Sequence, residues 1–137
     1  MPVVWSVADK PDTRVRAHTI TVIQEIADLA RVELQLSSGL RPGDKRNHGA
    51  GRAVDVNAIN GIDIGTGPIT NPAAAPLVER VQGAARTHPE VRENFGPAGL
   101  WKSPRRGDPQ LDFDDGSSRR RRLRRAHMDH IHISVQP

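Results

Sequence analysis

The sequence predicts an α+β fold: a small, mainly antiparallel sheet with helices on one face and a polar surface on the other. Three observations carry this. Apolar residues recur at three- and four-residue steps over residues 13–31 and 72–87, the period of amphipathic helices. They alternate with polar residues over 32–37, 53–59 and 130–135, the period of half-buried strands. The chain has 137 residues, of which 36% are hydrophobic, enough for one core and not two. A single domain over residues 1–137 follows, and Gly 12 plus Pro 11 makes it rich in turns, which argues against a long helical bundle.

The first helix is predicted from Thr13 to about Arg31, with Val15, Ile20, Ile23, Ile26, Ala27 and Ala30 on its buried stripe and Asp12 or Thr13 as N-cap. Val32, Leu34 and Leu36 then alternate with Glu33, Gln35 and Ser37 as a strand that Ser38 and Gly39 end. A loop of Gly, Pro and charge leads to a second strand, Ala53–Ile59. Its Val54 and Val56 share one face, with Asp55 and Asn57 on the other. Asn60-Gly61 is a favoured two-residue hairpin turn, returning the chain through Ile62 and Ile64. Pro72, capped by Asn71, opens a second helix that ends near Thr87, and Val91–Phe95 is read as one further helical turn. Residues 96–126 show little periodicity and are expected to be an irregular loop. Ile131, Ile133 and Val135 alternate with His130, His132 and Ser134 in a closing strand.

Several function classes are excluded at this stage. No apolar run approaches the roughly 20 residues that span a bilayer. Cys is absent, so any metal must be held by His, Asp or Glu. The net charge is +4 with a pI of about 10.6, which suits anionic partners. That basicity is local: Arg119, Arg120, Arg121, Arg122, Arg124 and Arg125 supply six of the twenty basic residues, and the remainder is slightly acidic.

The chemistry concentrates in His48, Asp55 and the segment His127-Met-Asp-His130-Ile-His132. Side chains two apart on a strand point the same way, so His130 and His132 lie opposite Ile131 and Ile133, away from the core. Asp55 is likewise on the polar side of its strand, and His48 precedes it by seven residues in a Gly-rich loop whose Gly49 and Gly51 suit positive φ. A catalytic zinc needs three N/O ligands and one open position. His48, Asp55 and His132 meet that requirement if the two strands are neighbours, which places a zinc site on the sheet face opposite the helices. His18 and His88 read as ordinary solvated or core residues. Asp63 and the cluster Asp112, Asp114 and Asp115 read as solvated loop charges.

His48-Gly-Ala-Gly51-Arg-Ala53-Val-Asp55 and His130-Ile-His132 resemble the H-x-x-G-x-A-x-D and H-x-H motifs of the LAS zinc peptidases. These are the D-Ala-D-Ala carboxypeptidases and dipeptidases, the phage L-alanoyl-D-glutamate endopeptidases and the penicillin-insensitive murein endopeptidases. Ser38-Gly39-Leu40-Arg41 is similar to the family's S-G-x-R segment. The resemblance covers roughly residues 34–57 and 127–135. It implies a zinc-dependent peptidoglycan peptidase that hydrolyses an amide bond in the stem peptide or cross-bridge, endopeptidase ahead of carboxypeptidase. His48, Asp55 and His132 are the implied Zn²⁺ ligands, and Arg41 the implied group for substrate binding or transition-state stabilisation. Asp129 stands three residues before the last ligand, where carboxypeptidase- and endolysin-like members carry the base. His127 and His130 stand five and two before it, as in the murein endopeptidases, so both templates remain open. Arg41 or His130 would stabilise the oxyanion.

Two other classes compete: a metal-dependent nuclease, and a non-catalytic zinc-stabilised module that binds the envelope. The arginine run is read as a solvated loop or a patch drawn to anionic envelope polymers. Nucleic acid ranks below these because no aromatic residue follows Phe113. Met1 to Lys10 lacks the basic start and apolar stretch of a signal peptide, although the implied substrate lies outside the inner membrane. A phage lysin made in the cytoplasm and released through a membrane lesion ranks ahead of a delivered toxin or a domain of a longer secreted chain.

Overall fold

The structure, a computed structural model, describes residues 3–5, 15–37 and 51–137, with Trp5 described by its backbone alone. The Ser38–Arg41 segment and His48 with Gly49 lie outside the described residues, as do Asp12 and Thr13; the first helix starts at Ala17 with Arg16 at its N-cap and no side-chain cap bond, so the expected cap at Asp12 or Thr13 is corrected. In chain order the elements are β1 (Val3–Trp5), α1 (Ala17–Ala30), β2 (Leu34–Ser37), β3 (Ala53–Ile59), β4 (Ile62–Asp63), β5 (Gly65–Thr66) and β6 (Ile69–Thr70). A 3-10 turn at Pro72–Ala74 then leads into α2 (Ala75–Arg86), β7 (Val91–Gly96), β8 (Gly99–Lys102), β9 (Leu111–Asp112), α3 (Ser118–Arg125) and β10 (Ile131–Val135). The class is α+β. One mixed sheet runs β1-β2-β3-β10-β7-β8-β9, with β4 also paired to β3, and β5 with β6 forms a separate hairpin. Among the described residues only the β1–β2 pairing is parallel.

The helix and strand periods explain how the core closes. On α1, Val22, Ile23, Ile26 and Ala27 lose all solvent contact, as do Leu34 and Leu36 of β2, Val54 and Val56 of β3, and Ile131 and Ile133 of β10. Each buried Ile, Leu or Val contributes about 1.5–3 kcal/mol of transfer free energy. α2 adds Val78, Val81 and Ala85 to the same layer, and Arg80 donates to the Ala30 carbonyl at the end of α1. Asn60 (φ +52°) and Gly61 (φ +77°) adopt the left-handed pair that a type I′ hairpin requires. Asn71 Oδ1 accepts from Ala73 N–H at 3.0 Å, with Pro72 in the first turn as the sequence predicts.

Three further expectations are corrected. Val91–Phe95 is the strand β7 and not a helical turn, because β10 needs a partner on its second side and residues 91–95 supply it. The irregular loop expected over residues 96–126 instead holds β8, β9 and α3. These escape a periodicity reading because β8 and β9 are too short to alternate visibly. α3 is almost wholly charged, so its helix rests on the Ser117 cap, whose Oγ accepts from Arg120 N–H at 3.2 Å, and on Arg122, Arg124 and Arg125 facing the negative end of the helix dipole. Finally, α1 and α2 cover one face, but α3 does not join them. Its Arg120 and the following His127 pack on Phe113 and Phe95, on the opposite face of the sheet. Among the described residues no helix is long and apolar enough to cross a membrane.

Candidate metal and catalytic site

β10 lies antiparallel between β3 and β7, and this placement assembles the site. His132 stands directly opposite Asp55 in the register that also pairs Ile131 with Val56 and Ile133 with Val54. Because Ile131 and Ile133 point into the core, His132 and Asp55 are driven together onto the other face. Asp55 is 4% exposed. Its Oδ1 lies 3.4 Å from His132 Nδ1, so one ring nitrogen faces the carboxylate across the strands.

The second ring nitrogen is held from β7. His132 Nε2 lies 3.1 Å from Glu93 Oε1, which also accepts from Ser134 Oγ at 2.9 Å. Burial alone would raise the Glu93 carboxyl, but the hydrogen bond and charge of His132 outweigh it and bring the value from 4.5 down to about 2. Burial likewise opposes charge on His132, yet its bonds to Asp55 and Glu93 prevail and raise it from 6.5 to about 9. Asp55 and Glu93 thus flank the two nitrogens of one imidazole and fix its ring plane; in metal sites a single carboxylate, on the nitrogen turned away from the metal, gives such orientation.

Beside this pair, His130 Nδ1 donates to Asp129 Oδ1 at 2.7 Å, which leaves His130 Nε2 3.9 Å from Asp55 Oδ1. Asp55, Asp129 and His130 line one polar cavity of about 500 Å³, together with Ser37, Asn57 and Asp63. The small hairpin is tied to the chain beside this cavity: Thr70 Oγ1 donates to Met128 O at 2.6 Å, one residue before Asp129. Gly65 packs so closely that a Cβ there would collide with the backbone oxygen of Ile69.

His127 follows α3 and sits 4.8 Å from the His130 ring and 5.8 Å from the His132 ring, centroid to centroid. Its Nδ1 donates to Leu123 O at 2.7 Å. Burial lowers this imidazole from 6.5 to about 4, against the opposing pull of that hydrogen bond, so it is neutral at pH 7 and available only as an acceptor at Nε2. Phe95 packs edge-on to His127 and stacks at 5.7 Å on His132, closing this side against water.

Of the residues singled out from the sequence, the structure therefore brings together Asp55, His127, Asp129, His130 and His132. His48 and Arg41 lie outside the described residues. Gly51, three residues after His48, has φ +73°, as expected of a turn glycine. Its carbonyl accepts from Arg16 N–H and Thr19 Oγ1, which ties the entry of β3 to the start of α1. Among the described residues no group of three His, Asp or Glu side chains is arranged to hold a metal ion. Asp55 and His132 provide two donors of the type zinc takes, N and O, and the third ligand implied by the sequence motif is His48.

Glu93 and Phe95 escaped the sequence reading as site residues, and Ser134 was placed there only on the polar face of the closing strand. Glu93 and Phe95 stand two apart, the spacing of one strand face, and the helical reading of residues 91–95 concealed it. No family model matches the chain, and no curated protein or solved structure matches it either.

Proposed function

We propose that this chain is a zinc-dependent peptidoglycan peptidase of the LAS type, hydrolysing an amide bond in the stem peptide or cross-bridge, with an endopeptidase ahead of a carboxypeptidase. The observation that carries this reading is the His132 imidazole held between Asp55 on one nitrogen and Glu93 on the other, with the Asp129–His130 pair beside it. Such an orientation suits a ligand with one nitrogen committed to a metal and one to a carboxylate.

Asp55 and His132, with His48, would hold the zinc. Bound zinc polarises a carbonyl and lowers the pKa of its water toward about 7. The chain's own residues handle the proton. Asp129 is the base, and His130, hydrogen-bonded to it, carries Nε2 to the Asp55 side of the cavity and shares the transfer to the leaving amine. His127 is neutral and packed on both histidines, so its part is to hold their rings while Phe95 keeps water out. Arg41 or His130 would stabilise the oxyanion. The site works on the envelope side, after release or delivery of the protein, and the cationic α3 adds attraction to anionic envelope polymers.

The test is mass spectrometry of fragments released from purified sacculi, with zinc, after chelation, and after zinc is restored. New amino groups at one stem-peptide bond, lost with chelator and regained with zinc, are expected. Zinc bound without any release would overturn the peptidase reading in favour of an envelope-binding module, and cleavage of plasmid in place of sacculi would make the protein a nuclease.

A further inference from the structure

A second cavity, of about 470 Å³, lies beside the His132 site on the same face of the sheet, and Glu93 and Phe95 belong to its wall. Four cations line it: Lys102 from β8, and Arg119, Arg120 and Arg122 from α3. Its floor is aromatic. Phe95 and Phe113 stack at 5.7 Å with their planes 4° apart, the Arg120 guanidinium lies 3.6 Å from the Phe113 centroid, and Lys102 Nζ lies 5.0 Å from it. Arg120 is fixed further by Nε–H donation to Phe113 O at 2.9 Å, which leaves its two terminal nitrogens for another partner. Arg124, outside the cavity, pairs with Asp114 at 3.5 Å, whereas among the described residues Arg119, Arg120 and Arg122 have no carboxylate at ion-pair distance. The one acid in the wall is Glu93, whose Oε1 is already engaged by His132 and Ser134.

A solvated arginine face would leave its guanidiniums in open water. Here Arg120 is stacked and anchored, and the exposed Arg119 and Arg122 border the same concavity with Lys102, an arrangement that fits a planar oxyanion. Two ring-to-ring steps of 5.7 Å lead from His132 through Phe95 to Phe113, and Arg120 lies 3.6 Å beyond. That path has the length of between four and five residues of extended chain, at roughly 3.3–3.6 Å each. We propose that this cleft is a carboxylate subsite of the peptidase, holding an acidic group of the peptide a few residues from the bond being cut; the assignment rests on the peptidase reading above.

The experiment uses the zinc-loaded protein and two fluorescent stem peptides, one with free carboxylates and one with every carboxylate converted to carboxamide. Binding is read by anisotropy and cleavage by mass spectrometry. A charge-assisted hydrogen bond is worth enough to make the free acid bind about tenfold tighter or more. The R119Q/R122Q variant, whose changes lie on an exposed helix face, should bring the two peptides to within about twofold at unchanged melting temperature. Equal binding of the two peptides to the wild type, or a preference retained by R119Q/R122Q, overturns the proposal. Binding of inorganic phosphate with no preference between the peptides overturns it as well, making the cleft a phosphate site. Preference for the acid without cleavage leaves the carboxylate cleft standing and refutes the peptidase reading, whereas cleavage without preference does the reverse.

Discussion

Replacing Glu93 with Gln keeps the side chain's size and removes its charge, which isolates what the carboxylate does for His132. Glu93 Oε1 accepts from both His132 Nε2 and Ser134 Oγ, and the drop of its carboxyl from 4.5 to about 2 corresponds to roughly 3 kcal/mol of preference for the ionised form in the folded protein. Gln still offers one acceptor oxygen, so the expected loss of stability is about 1–2 kcal/mol. Its pH dependence follows from the two shifts. A depressed carboxyl stabilises fully above 4.5 and loses that contribution as pH falls through about 2, while the raised His132 contributes fully below 6.5 and loses its part as pH rises through about 9. The gap between wild type and Glu93→Gln should therefore be widest between pH 4.5 and 6.5, measured by urea unfolding with chelator present. Loss of the partner that orients a metal-ligating histidine weakens metal binding by about 10–100-fold, so competition with a chromophoric chelator should show zinc affinity falling by that factor. A variant that loses stability over this pH window while binding zinc as tightly as the wild type would refute the orienting role and leave Glu93 as a strand-pairing residue only.

Three further outcomes are expected. His48→Ala, Asp55→Ala and His132→Ala should each release zinc and abolish peptide release, and near-stoichiometric zinc by elemental analysis in all three would refute the ligand set. Asp129→Asn should lower kcat by about 10²–10⁴-fold with zinc retained, as for a lost general base, and His130→Gln should do the same if the pair acts as a unit; a kcat within a few-fold of wild type for Asp129→Asn would move the proton to His130 or His127. Gln82→Leu removes the amide that accepts from Ala98 N–H and donates to Asn94 Oδ1 and Gly99 O, so two buried groups and one partly buried group lose a partner. Its cost is roughly 3 kcal/mol or more by chemical denaturation, and a loss below about 1 kcal/mol would show that the network relaxes onto other partners.

Much of the frame was legible because it depends on local pattern. The α1 and α2 stripes, the alternation of β3 and β10, the Asn60-Gly61 turn and the Asn71 cap each follow from a period or a backbone preference within a few residues. The same alternation placed Asp55, and His130 with His132, on the polar faces of their own strands before any pairing was known. β7 was misread because Val91-Arg-Glu-Asn-Phe95 carries mixed polarity. Asn94 faces the helices, where a polar residue is tolerated only because Gln82 and Gln110 satisfy its amide. α3 was invisible to an apolar period because it has almost no apolar residues, and it holds its place through Arg120 on Phe113.

The sequence by itself determined which residues turn away from the core, since side-chain direction along a strand alternates whatever the partners are. Only the tertiary structure decided which of them meet. Strand order put β10 between β3 and β7, and that order set Asp55 and Glu93 on opposite nitrogens of His132. It also brought the arginine helix over the histidine face, through contacts between residues far apart in the chain that no local period encodes.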